Sequence, residues 1–425
     1  MSFDEDFENI YAKGRQRSWK DRFSFNSYRR KGFCSTLLFL GLIFLIVPLF
    51  IGTIYHFAIM KRSFDSASLK SLYEQYQDKF ESFGYSGAVA EETRANATIV
   101  SLVRNEELWK MVDSIRDVED RFNGKYHYDW VFLNEEEFTD EFKRVTANLV
   151  SGEAKYGKIP RSEWSFPDDL DIPKYEQSKQ KLVDDNVIYG GLDSYRHMCR
   201  YNSGFFYKHP LLQDYQWYWR VEPNIKIYCD VNYDPFTFMI ENNKTYGFVM
   251  ALKEFEATIP TLWKTTKEFI QQHPEYVPEN NLQQFVSRDG LRTYNLCHFW
   301  SNFEIANMDF FRSQTYEDYF QYLDSKKGFF YERWGDAPVH SIAASLFLEK
   351  DQIHLFNDFG YYHNPYGACP MNQEIFIENR CSCDYTKDFT FSLHSCAPLY
   401  YDIQKLEKPE GWRKKVRFPA PFMEN

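Results

Sequence analysis

Hydrophobic and polar positions divide the chain into stretches with different patterns. Residues 1–32 are mostly polar, residues 33–60 are predominantly apolar, and residues 61–90 are polar again, with "SLYEQYQDKFESF" loosely spaced like a helix. From residue 91, short β-branched runs alternate with longer amphipathic segments. The pattern therefore predicts a short tail at 1–32, a membrane span at 33–60, a stem at 61–90 and a large folded domain at 91–425.

The folded domain begins with an alternation of two periodicities. "NATIVSLV" and "YDWVFLN" predict buried strands, and "ELWKMVDSIRDVEDRF" and "EEFTDEFKRVT" predict the helices that follow them. Such βαβ units form a mostly parallel sheet that binds a nucleotide beyond the carboxyl ends of its strands. The second half is less regular, with a strand predicted in "YGFVMALKEF" and a helix in "PTLWKTTKEFIQQ". We expect an α/β fold with a Rossmann-like, nucleotide-binding N-terminal half.

The apolar segment indicates a retained signal anchor. Its centre, "LLFLGLIFLIVPLFIGTIY", is long enough to cross a bilayer as a helix. It is longer than the apolar region of a signal peptide and follows 32 mostly polar residues, so an anchor is favoured over a cleaved leader. Eight Lys and Arg residues precede it, whereas only Lys61 and Arg62 follow it before Asp65. Because the more positive side stays in the cytosol, a type II membrane protein is expected.

Charge and sequons agree with export of the large domain. Without the eight basic and five acidic residues of the tail, 42 Lys and Arg stand against 56 Asp and Glu, a net charge near −14. Such an acidic domain is not expected to bind nucleic acid. "NAT" at Asn96 and "NKT" at Asn243 are acceptor triplets for N-glycosylation in the lumen.

Seven of the eight cysteines fall in the exported part, and an oxidising compartment makes disulfides the first interpretation. The cluster Cys381, Cys383, His394 and Cys396 also has the residue types of a zinc site, but bridges are the simpler explanation. An odd count leaves at least one lumenal thiol unpaired. The sequence does not determine which cysteines pair with each other.

Aromatic residues are unusually frequent, at 19% of the chain, and they crowd together in "YQWYWRVEP" at 215–223. Rings at this density fill a core or line a sugar-binding cleft. The chain lacks G-x-G-x-x-G, Walker A and G-x-S-x-G motifs, which removes the usual support for dinucleotide oxidoreductases, P-loop enzymes and α/β-hydrolases.

Four long motifs carry a resemblance to a known family. They are the aromatic run extended to "YRHMCRYNSGFFYKHPLLQDYQWYWRVEPNIKIYCDVNYDPFTFM", then "HFWSNFEIANMDFFRS", "RWGDAPVHSIAASLFL" and "NDFGYYHNPYGACP". The chain closely resembles the fungal Golgi α-1,2-mannosyltransferases, glycosyltransferase family 15. The resemblance implies a GT-A-like fold, GDP-mannose as donor, Mn²⁺ as cofactor, mannose-terminated glycans of glycoproteins as acceptors, and residence in the Golgi membrane or the endoplasmic reticulum.

The resemblance also implies a metal end of the site. Glu222 in "RVEP" occupies the place of the acidic metal-binding motif of other GT-A enzymes, and His363 in "GYYHNPYG" would supply an imidazole. Manganese accepts oxygen and imidazole ligands, and near both phosphates it offsets the charge on departing GDP. Without the family, Glu222 reads more simply as an ion-pair partner of Arg220.

Three further residues are implied at the substrates. Glu304 would lie under the anomeric carbon of a retaining transfer, either as a covalent nucleophile or as a stabiliser of an oxocarbenium-like transition state. Asp336 would accept hydrogen bonds from mannose or the acceptor, and Tyr195 would donate to the leaving phosphate. Arg104, just past the first predicted strand in "LVRNEE", is placed by its position to meet guanine or ribose. From the residues alone, Glu304 reads as a charge near a helix N-terminus, Asp336 as an N-cap and Tyr195 as a packed ring.

Three functions follow. The first is a retaining α-1,2-mannosyltransferase that extends N- or O-linked glycans. The second, from the same family, is a mannosylphosphate transferase. The third is a glycan-binding membrane protein without catalysis, which is disfavoured because Glu222, Glu304, Asp336 and His363 all stand in their motif contexts.

Overall fold

The computed structural model describes residues 94–415. The predicted tail at 1–32, membrane span at 33–60 and stem at 61–90 lie outside the described residues, as does the start of the large domain at 91–93. No helix within residues 94–415 combines the length and the apolar character needed to cross a membrane.

The strands of the described part are β1 Ala97–Leu102, β2 Asp129–Asn134, β3 Ala154–Lys158, β4 Trp217–Val221, β5 Lys226–Ile227, β6 Tyr246–Phe248, β7 Ala251–Lys253, β8 Cys297–Phe299, β9 Phe303–Asn307, β10 Ile353–Leu355, β11 Tyr361–His363 and β12 Tyr366–Ala368.

The α-helices of the described part are α1 Leu108–Val118, α2 Gly124–Tyr126, α3 Asp140–Ala147, α4 Ile172–Asp184, α5 Asp193–Gly204, α6 Pro235–Glu241, α7 Leu262–Gln272, α8 Gln283–Val286, α9 Met308–Phe311, α10 Gln314–Ser325, α11 Gly328–Tyr331, α12 Asp336–Phe347, α13 Gln373–Glu378, α14 Ala397–Gln404 and α15 Trp412–Lys415.

A seven-stranded mixed sheet organises the domain, in the order β10-β6-β9-β4-β1-β2-β3. Strands β3, β2, β1 and β4 run parallel, as the βαβ alternation predicts. Strand β9 runs antiparallel to both β4 and β6, and β10 runs parallel to β6. The expected α/β class with a mostly parallel N-terminal half is therefore confirmed, and one reversed strand makes the whole sheet mixed.

Helices cover both faces of this sheet, which explains why its central strands are apolar on both sides. The side chains of β4 show the arrangement, because successive residues of a strand point to opposite faces. Trp217 and Trp219 enter the core formed with α1 and α6, while Tyr218 enters the core formed with α10 and α12. The aromatic crowding of this strand is thus a consequence of its burial between two layers.

Local signals set several helix boundaries. Thr139 caps α3 by accepting a hydrogen bond from the Phe142 backbone N–H, and Asp234 caps α6 in the same way. The helix expected in "ELWKMVDSIRDVEDRF" continues from α1 into a single π-helical turn at Glu119–Asn123.

The strand predicted in "YGFVMALKEF" is divided in the structure. Its first part is β6 in the central sheet, whereas its second part, β7, pairs with β8 in a separate two-stranded sheet. An apolar pattern does not show where a strand changes its pairing strand, because the residues at the junction of β6 and β7 are all buried.

A small sheet, in the order β12-β11-β5, contains the β11–β12 hairpin, in which His363 is the last residue of β11 before the turn. Disulfides connect the segment 381–383 to both outer strands: Cys229 follows β5 and pairs with Cys381, and Cys369 follows β12 and pairs with Cys383. A third bridge joins Cys297 to Cys396.

These bridges confirm the disulfide interpretation over the zinc site, since Cys381, Cys383 and Cys396 are all consumed. Cys199 is buried and free, as an odd count requires.

Candidate active site

The carboxyl end of β4 brings the first site residues together. Arg220 is the penultimate residue of the strand and Glu222 follows its last residue. Because β9 runs antiparallel beside β4, Glu304 lies directly opposite Arg220 in the register. Opposed residues of neighbouring strands project from the same face. The local reading of Glu304 as a charge near a helix N-terminus is therefore wrong, since the residue lies within a strand.

Arg220 joins two of the candidate carboxylates. Its Nη2 lies 2.5 Å from Oε1 of Glu222, and its Nη1 lies 2.6 Å from Oδ2 of Asp336. Ser301 donates a second hydrogen bond to the same Oδ2 at 2.8 Å. Burial alone would lower the pKa of Arg220, but the charges of Glu222 and Asp336 raise it well above its ordinary value. The arginine is therefore a permanent cation between two acids.

Glu222 meets His363 at the small sheet. Oε2 of Glu222 lies 3.2 Å from Nε2 of His363, and Nδ1 of the same ring lies 3.1 Å from the Asn364 carbonyl. Burial would raise the pKa of Glu222, but Arg220 and then His363 lower it to about 2. The structure thus places Glu222 in contact with both His363 and Arg220, and the role of the first pair as metal ligands stays a prediction.

The hydrogen bonding of this pair suits a cation. A carbonyl oxygen only accepts, so Nδ1 carries a ring hydrogen. The contact of 3.2 Å between Nε2 and the Glu222 carboxylate is then bridged either by a proton on Nε2 or, in its place, by a cation that binds both atoms. Adjacent ligands of an octahedral ion, each about 2.1 Å from it, stand about 3.0 Å apart. Metal-binding histidines commonly donate their other N–H to a carbonyl, as here.

These two side chains form an incomplete ligand set by themselves. No cluster of three or more His, Cys, Asp and Glu side chains able to hold a metal occurs within residues 94–415. A metal held by Glu222 and His363 would thus take its remaining ligands from water and substrate. The donor set, one carboxylate and one imidazole, fits Mn²⁺.

Glu304 is 1% exposed and its carboxylate is surrounded by donors. Tyr246 donates to Oε1 at 2.5 Å, Tyr218 donates to Oε2 at 2.8 Å, and Nδ1 of His340 lies 2.7 Å from Oε1. Three hydrogen bonds fix the orientation of this buried group.

Asp336 is the first residue of α12, and Gly335 occupies the N-cap position. The expectation that a helix begins here is confirmed, but Asp336 is not its cap. Its carboxylate lies at the positive end of the helix dipole. Burial would raise its pKa, whereas Arg220 and then His340 lower it below the ordinary range. Asp336 is thus an anion held against Arg220.

Tyr195 lies in the first turn of α5, with its ring stacked on Tyr189 at 4.8 Å and under the Arg333 guanidinium at 4.9 Å. Burial raises the pKa of its phenol well above 10, and the charge of Asp336 acts in the same direction. The hydroxyl therefore remains a donor at neutral pH.

Arg104 follows β1 at the sheet edge where β4 also ends, because the two strands are parallel. Its guanidinium contacts Glu106 and Glu107, each at 3.2 Å. These two acids are different from Glu222 and Asp336, the acids that Arg220 contacts.

Four members of the site are not predicted from the sequence: Arg220, His340, Tyr218 and Tyr246. Arg220 is expected there only as an ion-pair partner of Glu222. A signal for His340 existed, because it lies four residues after Asp336 and thus on the same face of a helix that begins at Asp336. No such signal identifies Tyr218 and Tyr246, whose convergence depends on the strand order.

Comparison with known proteins adds the family. A model described as glycolipid 2-alpha-mannosyltransferase matches residues 60–405. The chain is 57% identical over 323 residues to "Alpha-1,2 mannosyltransferase KTR1" of Saccharomyces cerevisiae, covering 76% of this chain and 82% of that protein. It is 56% identical over 321 residues to "Glycolipid 2-alpha-mannosyltransferase 2" of Candida albicans, covering 76% and 70%.

Two solved structures resemble the described domain. Core-mannan synthase A of Aspergillus fumigatus, in its Mn/GDP form, has a TM-score of 0.70 at 41% identity and covers 76% of this chain and 89% of that one. The mannosyltransferase Ktr4p of Saccharomyces cerevisiae, in complex with GDP, has a TM-score of 0.70 at 40% identity and covers 74% and 83%.

Proposed function

The chain belongs to the glycolipid 2-alpha-mannosyltransferase family, and from this premise we propose that it transfers mannose from GDP-mannose to mannose-terminated N- or O-linked glycans, with retention, in α-1,2 linkage. It is a mannosyltransferase, as its relatives' names state. The observation that carries the proposal is the Glu222–His363 pair, whose geometry suits a divalent cation in a chain 41% identical to a Mn/GDP-bound relative. We also propose that the fold is GT-A-like.

Glu222 and His363 would hold Mn²⁺. Bound there, the ion supplies positive charge that offsets the charge developing on the departing GDP. Arg220 fixes the Glu222 carboxylate from its other oxygen, so that Oε2 stays directed toward His363. This arrangement positions the two protein ligands before the nucleotide arrives, which reduces the reorganisation needed during the reaction.

Asp336 is proposed to orient a sugar. Arg220 and Ser301 both contact Oδ2, which leaves Oδ1 as the oxygen to accept hydrogen bonds from mannose hydroxyls or from the acceptor. A carboxylate held as an anion by Arg220 is a strong acceptor.

Tyr195 and Arg104 are proposed to act on the nucleotide. The phenol of Tyr195 stays protonated because burial raises its pKa, so it can donate to the leaving phosphate. Arg104, at the carboxyl end of β1, lies where open α/β sheets receive the nucleoside.

Glu304 is proposed to act at the anomeric carbon. A carboxylate stabilises the positive charge of an oxocarbenium-like transition state, either without bonding or as a nucleophile that forms a glycosyl intermediate. Both routes need an ionised Glu304, and the hydrogen bonds from Tyr218 and Tyr246 favour that form.

We also propose that the protein is anchored in the Golgi membrane by one N-terminal helix, with its catalytic domain in the lumen. The charge asymmetry around residues 33–60 supports this topology. The three disulfides of the described domain agree with an oxidising compartment.

One assay tests the reaction. The full-length chain in detergent is incubated with GDP-mannose, manganese and α-methyl-mannoside, and the product is analysed for composition, linkage and anomeric configuration. We expect an α-1,2-linked dimannoside. A mannosylphosphate product would establish the alternative reaction of the same family, and absence of any product with the natural class of acceptors would leave glycan binding without catalysis.

A further inference from the structure

The carboxylate of Glu304 has an unusual partner for a buried acid. The ring of His340 is 0% exposed and lies between two acceptors: Nδ1 is 2.7 Å from Oε1 of Glu304, and Nε2 is 3.0 Å from the carbonyl oxygen of Asn202. Phe206, Phe311 and Tyr316 pack around the ring and make the rest of its environment aromatic.

The two contacts determine where the hydrogens lie. A backbone carbonyl cannot donate, so Nε2 carries a hydrogen and donates it to Asn202. Only one further proton then remains for the contact between Nδ1 and Oε1. If it resides on the ring, the pair is an imidazolium and a carboxylate; if it resides on Glu304, both groups are neutral.

Three observations assign this proton to the ring. Tyr246 and Tyr218 both donate to the carboxylate, one to each oxygen, and hydrogen bonds to the charged form of an acid stabilise that form. Asp336 lies one helical turn before His340 and adds a second negative charge. Burial alone would lower the pKa of His340, but Glu304 and then Asp336 raise it above its ordinary value, against an opposing contribution from Arg220.

We propose that His340 is a positioning residue for the transfer reaction, which keeps Glu304 ionised and fixed in orientation inside the protein. This inference rests on the proposed function. Oε1 is occupied by His340 and Tyr246, whereas Oε2 accepts only from Tyr218 among the contacts described. Oε2 is therefore the oxygen directed to the positive charge that develops at the anomeric carbon.

The positive charge of His340 matters because Glu304 is almost fully buried. An isolated carboxylate in such a site takes up a proton rather than remain charged. A protonated Glu304 is electrically neutral and gives little stabilisation to an oxocarbenium-like transition state. His340 thus acts on the reaction through the charge of Glu304 and needs no contact with either substrate.

The test compares His340→Asn with a matched control in the full-length protein. Asn keeps a donor near the position of Nδ1 but carries no charge, so kcat should fall about 10- to 100-fold, the range usual for groups that orient a functional side chain. Affinity for GDP-mannose should stay within about 2-fold, because Glu304 acts only in the transition state. The control is His209→Asn, at another buried histidine, whose described hydrogen bonds are with backbone groups, and it should keep the wild-type kcat.

The pH profile separates a charge effect from a packing effect. The charged or titratable groups that act on Glu304 or on His340 are Arg220, Asp336, Tyr218, Tyr246 and Tyr316, and His340 itself contacts Glu304. Only His340 changes, so the variant loses the positive charge beside the Glu304 carboxylate. The acid limb of kcat should therefore move to higher pH in His340→Asn. An unchanged acid limb would contradict the proposal.

A double-mutant cycle keeps the test decisive if His340→Asn is less stable. In a Glu304→Gln background the His340→Asn change should alter kcat by less than about 2-fold, since the group on which it acts is already gone. An equal loss in both backgrounds would overturn the proposal, as would a wild-type kcat for His340→Asn. If the wild-type chain itself forms no mannoside, the proposed function fails instead.

The protonation state of His340 can also be measured without turnover. With ¹⁵N-labelled histidine and the His340 signal assigned from the variant, the wild-type ring should show two N–H groups at neutral pH, and it should lose one of them in Glu304→Gln. A neutral ring with a bare Nδ1 in the wild-type protein would place the proton on Glu304 and overturn the proposal.

Discussion

Arg220 and Asp336 form an ion pair at 2.6 Å although 116 residues separate them in the sequence. Arg220 is the penultimate residue of a central strand and Asp336 begins helix α12, so the pair joins the sheet to the helical layer at the site itself. Arg220 is 11% exposed and Asp336 6% as side chains, and the arginine also contacts Glu222. Removal of the cation would leave two buried acids without their shared partner.

Arg220→Met should destabilise the fold most at neutral pH. Breaking a buried ion pair by removing one partner costs about 3–5 kcal/mol. In the wild type, Asp336 and Glu222 have lowered pKa values, so the stability that they contribute is present at neutral pH and is lost as the pH falls through those lowered values. In the variant, burial without the arginine should raise the pKa values of both acids, so their protonation at lower pH should remove the cost of burying two unpaired charges. The melting-temperature gap to the wild type should therefore narrow between pH 7 and pH 4.5.

Arg200→Met is the matched control for this change. Arg200 makes a bidentate pair with Asp324 at 2.7 and 2.8 Å, and neither contact involves Glu222 or His363. Its loss should lower stability without abolishing transfer, whereas Arg220→Met should abolish transfer even where the protein is folded. A folded, active Arg220→Met protein would remove the arginine from the site.

Metal dependence tests the Glu222–His363 pair. A chelator should abolish transfer and manganese should restore it, because a divalent ion contributes several kcal/mol of transition-state stabilisation. His363→Ala should raise the manganese concentration for half-maximal activity by at least about 10-fold and weaken donor binding together with it. Manganese binding in the presence of GDP, followed by electron paramagnetic resonance, gives the same comparison without turnover.

His354→Ala serves as the control for the metal experiment. His354 lies in β10 and packs against Phe238 and Phe356. Its manganese response should equal that of the wild type. Full activity of the wild-type protein in excess chelator would show that the metal assignment is wrong.

Much of the fold can be predicted from the sequence, because the signals for many of its strands and helices lie in neighbouring residues. The β-branched run of β1 and the amphipathic pattern of α1 are properties of neighbouring residues, so they predict the parallel half of the sheet. The reversed strand β9 has no such signal, since nothing in "FEIAN" states which strands it joins. Its position between β4 and β6 decides that Glu304 faces Arg220 and receives Tyr218 and Tyr246.

The candidate site, like the fold, could be predicted from the sequence only in part. Glu222 and His363 were paired through the family resemblance, and the structure places their side chains 3.2 Å apart. Arg220 was treated as an alternative to a catalytic role for Glu222, yet it contacts Glu222 and Asp336 together. Apart from its spacing from Asp336, His340 has no local sequence feature that distinguishes it from a structural buried histidine. Only the strand register shows that a carboxylate lies beside it.

The disulfides around the small sheet should support metal binding. Cys229–Cys381 and Cys369–Cys383 connect both outer strands of the sheet that carries His363 to one short segment. Replacement of Cys229 and Cys381 by Ser should lower the free energy of unfolding by about 2–5 kcal/mol and also raise the manganese requirement, because β5 is no longer tied beside the His363 hairpin.

Replacement of Cys297 and Cys396 by Ser is the control, because that bridge joins β8 to the start of α14 instead. We expect a comparable loss of stability with an unchanged manganese requirement. Equal manganese requirements in both double variants would refute a role of the first bridge in metal binding.

Membrane topology is tested by protease protection. The predicted type II orientation leaves only residues 1–32 in the cytosol, so protease added to sealed microsomes should trim an N-terminal tag and spare a C-terminal one. Detergent should make the C-terminal tag accessible, which controls for intrinsic resistance. Digestion of the large domain in intact vesicles would show the opposite orientation.

The last prediction separates chemistry from binding at two acids of the same site. Glu304→Gln keeps the size of the side chain and replaces one oxygen by a donor that the hydroxyls of Tyr218 and Tyr246 can accept, so the protein should fold. Because the carboxylate acts as positive charge develops at the anomeric carbon, kcat should fall by at least about 100-fold while the affinity for GDP-mannose stays nearly unchanged.

Glu222→Gln should behave differently, since a metal ligand beside the diphosphate also acts in the ground state. Donor affinity and kcat should therefore fall together, and added manganese should recover part of both. If Glu304 had only a structural role, Glu304→Gln would lose melting temperature and its lost rate would match its unfolded fraction. Melting temperature, donor affinity and turnover, measured on one preparation, decide between these cases. If the Glu304→Gln protein is folded and fully active, Glu304 does not act at the anomeric carbon.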